Sequence, residues 1–331
     1  MRLIPLFLLP LATLAGAAPP PSRPTSPPVA VVPQTPAPLA GAATVEAPPA
    51  PPPPSTTPAA ATTDADPALW VVKDADTTIY LFGTIHVLKP GLSWFDEAVK
   101  TAFDAAGELR LEMVTPPPEV TQAIALKAGT TTTGPTLPAR LGPKTRARYL
   151  KTLADYGLPA TALDRFQPWF AANNLTILPL LKLGYALDSG AEQVLTRAAK
   201  DQGKAISGFE TLPEQLGFFA GLSAPAQLTY LTGVIDELPS VGTTVDAMVA
   251  NWSRGDPAAL AKLLNDDLTS NPELARVLLK QRNLRWAGWI AQRMATPGTV
   301  FVAVGAGHLA GADSVQAHLA RRGLKATRVA Y

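Results

Sequence analysis

Two stretches decide the reading of this chain: "IYLFGTIH", residues 79–86, and "FVAVGAGHL", residues 301–309. Each is an apolar, β-branched and aromatic run of strand length that ends in a glycine, with a histidine three residues later. The chain has three histidines, and two of them, His86 and His308, sit in this setting. A glycine before each suits a backbone that doubles back or approaches a neighbour closely.

Working outward, "LWVVKDADTTIYLFG" reads as a hairpin, two strand-like runs around a turn rich in Asp and Lys. "GLSWFDEAVKTAFDAAG" follows as a helix. Phe95, Val99, Ala102, Phe103 and Ala106 lie on one face, Ser93 and Asp96 form a capping-box pattern, and Gly107 is the stop. "ELRLEMV" alternates, with Leu109, Leu111 and Met113 on one side and Glu108, Arg110 and Glu112 on the other. Residues 117–185 are mostly helical by period. "DSGAEQVLTRAAKDQG" is a helix with Ser189 and Glu192 as a second capping box, and "KAISGFE" is a short strand ending at Glu210. Helices fill 212–294. The last unit is a strand at 299–304, a helix at 313–322 and the strand "KATRVAY". Alternation of strand and helix at both ends predicts an α/β fold, a largely parallel sheet flanked by helices with a helical insertion in the middle.

His86, Glu112, Glu210 and His308 all fall at or just beyond the carboxyl end of a predicted strand, where open α/β sheets bind ligands. They are expected on one edge. Two imidazoles with one or two carboxylates form a donor set for a divalent ion. His318 lies in the last helix, away from that edge, and reads as a surface residue. Leu278, Leu279, Arg282, Trp286, Trp289 and Ile290 form one helical stripe. An arginine on such a face either snorkels or is buried against a carboxylate. A buried Arg282 would orient Glu112 or Glu210, or bind an anionic substrate or intermediate. The tryptophans read as core.

Composition narrows the classes. Charge is sparse at 16% and balanced to +2, without the clustered Lys and Arg of a nucleic-acid footprint. There is no cysteine, which removes thiolate metal sites, a thiol nucleophile and a lipid-modified cysteine. Residues 1–18 read as a secretory signal: Arg2, an apolar run broken by Pro5 and Pro10, and Ala15-Gly16-Ala17 as the cleavage motif. The expected location is periplasmic or secreted. No later stretch is long and apolar enough to span a bilayer, which takes about 20 residues. Residues 19–67 are rich in Pro, Ala, Thr and Ser and read as an extended, disordered linker, with the folded domain over 68–331. "GAGHLAG" is spaced wrongly for a dinucleotide loop, and no Gly-x-Ser-x-Gly elbow is present.

The ordered set "GTIH" (83–86), "LEM" with Glu112, and "GAGH" (305–308) resembles the TraB/GumN family, which includes the Tiki membrane metalloproteases and the pheromone-shutdown proteins. "GFETLPEQL" (208–216), "NWSRGD" (251–256) and "QRNLRWA" (281–287) are similar to further recurring segments of that family, so the resemblance covers the whole folded domain. It implies a fold like that of erythromycin esterase and the haem-binding ChaN-type proteins. It also implies a metal-dependent hydrolase, a peptidase first, with manganese or cobalt as the ion and zinc or iron as alternatives. On that basis His86, His308 and Glu112 would hold the metal. Glu210 would be a second ligand or the general base, and Arg282 would steady an oxyanion or fix a glutamate. The expected partner is a peptide or protein substrate. The alternative is a non-catalytic periplasmic protein that binds a peptide, a haem or a polysaccharide fragment.

Overall fold

A computed structural model describes residues 62–265 and 271–331. The expected signal segment and most of the expected linker lie outside these residues. The fold begins slightly before the expected start at Ala68, because Thr63–Asp64 pairs with Leu92–Ser93 and Ala65 is buried.

In chain order the strands are β1 (Thr63–Asp64), β2 (Leu69–Lys73), β3 (Thr77–Thr84), β4 (Leu92–Ser93), β5 (Glu108–Met113), β6 (Ala205–Glu210), β7 (Gly298–Gly305) and β8 (Thr327–Arg328). The helices are α1 (Glu97–Ala105), α2 (Pro118–Gly129), α3 (Pro143–Asp155), α4 (Pro168–Lys182), α5 (Ala191–Asp201), α6 (Leu212–Ala220), α7 (Ala224–Glu237), α8 (Val241–Ser253), α9 (Pro257–Asn265), α10 (Pro272–Ala275), α11 (Gln281–Arg293) and α12 (Val315–Ala320). A wide π turn, Arg276–Lys280, joins α10 to α11 immediately before Arg282.

The main sheet has the order β6-β5-β7-β3-β2-β8. The first four strands are mutually parallel, and β2 runs antiparallel to both β3 and β8. This is the expected α/β architecture, and β2–β3 is the expected hairpin. Alternation places Phe82, Phe301, Ala303, Leu109 and Leu111 against α1, α5, α8 and α9. Ile79, Leu81, Val300, Val302 and Val304 pack on the other face against α11 and α12. Both faces are covered, so β7 reads as an unbroken apolar run (Val300–Val304 all buried), as parallel central strands do. The middle helices form a further core around Trp169, Phe170, Leu175, Phe219 and Tyr230.

Two local expectations are corrected. Neither predicted capping box forms. Ser93 lies in β4 and its hydroxyl donates to the Asp96 carboxylate, while Asp96 is the N-cap of α1 and accepts no capping bond. Gly190, not Ser189, is the N-cap of α5, and Glu192 turns elsewhere. The capping box that does form is Thr211–Glu214 at the start of α6. His318 is also not on the surface. It is 4% exposed, on the covered face of α12 beside Val315 and Leu319.

Candidate functional site

The two Gly-x-x-His segments leave neighbouring strands. β3 and β7 are paired in parallel register with Thr84 beside Gly305, so His86 and the short 3-10 turn bearing His308 emerge side by side. β5 flanks β7 on its other side and carries Glu112 near its end, and β6 lies next to β5 with Glu210 beside Met113. The four predicted residues thus occupy the carboxyl ends of four adjacent strands. The glycines serve close approach. A Cβ on Gly83 would lie 3.1 Å from Ala306 Cα, and one on Gly305 would lie 3.1 Å from Glu112 Oε1 and 4.0 Å from His86 Nε2.

Arg282 ties this edge together. It is 1% exposed and stacks over Trp286 at 4.6 Å. Its Nη2 donates to Glu112 Oε2 at 2.6 Å and to Glu210 Oε2 at 2.8 Å, and its Nε donates to both Glu210 oxygens at 2.9 and 3.0 Å. Its Nη1 lies 3.1 Å from His308 Nε2. The other Glu112 oxygen accepts the Gly305 N–H at 2.7 Å. Arg285 donates to Glu210 Oε1 at 2.9 Å, and Gln215 reaches both glutamates. Arg282 therefore fixes both glutamates rather than either one. Glu210 has both oxygens bonded inside the protein.

The tautomer of His308 follows from its neighbours. Asn283 Nδ2 donates to the Asp313 carbonyl at 2.8 Å, so its Oδ1 faces His308 Nδ1 and accepts that proton. The lone pair is then on Nε2, where Arg282 donates. Burial pushes the His308 pKa down to about 3; Glu112 opposes this and the Arg282 cation adds to it. Near neutrality this imidazole is uncharged.

His86 is the opposite case. Its Nδ1 is 2.7 Å from Glu192 Oε1, an oxygen that also accepts the Thr84 hydroxyl. Burial, the strongest single influence, would lower its pKa, but the charge and hydrogen bond of Glu192 and the charge of Glu112 together outweigh it and raise the pKa to about 9. Burial would raise Glu112; the Arg282 guanidinium first, then the two imidazoles, His308 and His86, and last the Gly305 N–H, hold it at about 2 instead. The His86 side chain is 21% exposed, whereas those of Arg282, Glu112, Glu210 and His308 are at most 8% exposed. Solvent reaches the site at His86.

Glu192, Thr84 and Asn283 were missed by the sequence reading. Glu192 had an adequate local explanation as a cap, and Asn283 was one residue from Arg282 with nothing to mark it. The segments "GFETLPEQL", "NWSRGD" and "QRNLRWA" do all reach this edge. They bring Glu210 and Gln215, then Trp252, whose Nε1 donates to Gly83 O at 2.7 Å, and finally Arg282, Asn283 and Trp286.

For a divalent ion the picture is divided. Both imidazoles are held at Nδ1 by an oxygen, as metal-ligating histidines are. His308 Nε2, however, already faces the Arg282 cation. Among the described residues no three His, Asp or Glu side chains gather closely enough to hold an ion. As arranged, with Arg282 on His308 Nε2, the residues do not fit one unless that contact is given up.

Fold and site together define an α/β protein with a buried His/Glu/Arg cluster at the ligand-binding edge of a parallel sheet. The chain belongs to the TraB/PrgY/gumN family, whose match spans residues 68–328. No curated protein and no solved structure matches it. Among the described residues no single helix is long and apolar enough to cross a membrane.

Proposed function

We propose that this chain is an exported hydrolase of acyl bonds, with peptides as its leading substrate class and His86 as its proton-transferring group. One observation carries the reading: the one site imidazole that solvent reaches is braced at Nδ1 by a carboxylate and holds Nε2 beside Glu112 and Gly305. A braced imidazole is suited to general acid–base work, because its partner fixes the tautomer and stabilises the imidazolium. His86 would take a proton from water at Nε2 and return it to the leaving amine. Its raised pKa means that the working base form grows as pH climbs toward 9. Glu112, locked by Arg282 and Gly305, would orient the reacting groups opposite His86. Export is supported by Arg2 and the short apolar run after it.

The test is cleavage of a quenched fluorescent peptide library by the full chain, beside His86→Asn and Glu112→Gln. Each variant is expected to lose at least about 100-fold in kcat, within the range of a general acid–base contribution. Full turnover by His86→Asn overturns the reading. Tight peptide binding with no turnover by the native chain favours the binding-protein alternative.

A second reading is the same hydrolase working with a divalent ion, manganese or cobalt first. The Nδ1 anchoring of both histidines favours it, and the Arg282–His308 contact opposes it. Metal content by mass spectrometry decides. A stoichiometric ion in the native chain, absent from the His86→Ala/His308→Ala variant, establishes the metal form. An empty site after reconstitution with each ion leaves the metal-free form.

A further inference from the structure

We propose that the first turn of α5, through Gly190 and Glu192, is the element that positions His86. The proposal rests on the hydrolase reading for its consequence, but not for its geometry. Three successive residues of this turn engage three successive residues at the end of β3 and just past it. Glu192 accepts from the Thr84 hydroxyl and from His86 Nδ1, the latter at 2.7 Å. Ala191 N–H donates to the Ile85 carbonyl at 3.0 Å. Gly190 lies flat against the His86 backbone, so that a Cβ there would stand 2.1 Å from the His86 carbonyl oxygen. The segment is pinned again where Ala186 N–H donates to Leu88 O at 3.0 Å.

Gly190 is informative because its conformation does not need glycine. Its φ of −59° and ψ of 145° are open to any residue. Judged by its dihedrals, alanine there would be unstrained and would reduce the entropy of the unfolded chain. Glycine is required above all by the approach of α5 to His86, where the clash is far closer than the 3.1 Å at which the same Cβ would meet the Leu187 carbonyl. A methyl group must push the helix start away from the carbonyl, and Glu192 moves with it. The His86–Glu192 bond is then lost while the imidazole, the strand and the sheet remain. Gly190 and Glu192 are positioning residues: they act through His86.

The experiment uses the full chain labelled with 15N-histidine, in which only three imidazoles report. In the native protein the His86 signals should show a proton held on Nδ1. Glu192→Gln and Gly190→Ala should each release that proton to solvent exchange and move the His86 shifts, with those of His308 and His318 unchanged. On a cleaved peptide, both variants should lose about 10- to 100-fold in kcat with KM within about threefold, the pattern of a misplaced proton-transfer group. Thr84→Val should give a smaller loss in the same direction. If Gly190→Ala does not fold, Glu192→Gln decides alone. Unchanged His86 signals in a folded Glu192→Gln overturn the proposal. Altered signals in a chain that cleaves nothing in its native form leave the positioning intact and remove the hydrolase reading.

Discussion

Asn283 accepts the Nδ1 proton of His308, and this bond decides which nitrogen His308 presents to Arg282. The orientation of the amide is fixed in turn by its donation to the Asp313 carbonyl. Asn283→Ala leaves a fully buried imidazole N–H without its acceptor. It should cost about 1–3 kcal/mol, the usual penalty for such a group, read from the urea midpoint at unchanged slope. His308 should also lose its single-tautomer 15N signature.

The two motif histidines should give the protein a stability maximum near pH 6.5, their common unfolded value. His86 is raised when folded, so its contribution is complete below 6.5 and is lost as pH rises through about 9. His308 is lowered, so its contribution is complete above 6.5 and is lost as pH falls toward about 3. Glu112 joins the acid limb below 4.5. Each limb has a limiting slope of about 1.4 kcal/mol per pH unit per proton. Urea titrations between pH 4.5 and 9 measure both limbs, and His86→Gln should flatten the alkaline one.

Arg282→Met should destabilise strongly, by about 3–5 kcal/mol, because it strips the cation from two buried carboxylates. Arg282→Lys should recover little, since an ammonium cannot reproduce the fork that spans Glu112 and Glu210. Thermal and urea unfolding of both variants check this. A loss within 1 kcal/mol for Arg282→Met, about what a surface pair gives, would contradict the bracing role.

Gly83→Ala and Gly305→Ala should separate packing from chemistry. The Gly83 methyl meets Ala306 backbone at 3.1 Å and can be relieved only by parting the two turns, so stability should fall by about 1–3 kcal/mol. The Gly305 methyl meets Glu112 Oε1 at 3.1 Å, a carboxylate that Arg282 holds in place. That variant should stay folded and lose at least about tenfold in peptide cleavage, as a small misplacement of a reacting group does.

Much of this architecture was legible in advance for local reasons. Period-two alternation in "ELRLEMV" and unbroken apolar runs at β3 and β7 specify strands, and the parallel order follows from intervening helices. The rule that ligands gather at carboxyl ends then placed His86, Glu112, Glu210 and His308 on one edge. The capping boxes misled because Ser-x-x-Asp and Ser-x-x-Glu satisfy a helix start equally well on paper. In the fold, Glu192 gains more from an imidazole and a hydroxyl than from a backbone N–H.

Spacing along the chain was enough for the main-sheet strands, their ligand-binding edge and the four residues set upon it, but not for the short pair Thr63–Asp64 and Leu92–Ser93. The packing of distant helices set different charge states on two motifs of one Gly-x-x-His pattern: His308 neutral against Arg282 and Asn283, His86 protonated against Glu192. It also decided that Arg282 serves both glutamates at once. The reason is physical. A proton's affinity is set by burial and by whichever charges stand within a few ångströms, and those neighbours come from helices far away in the chain.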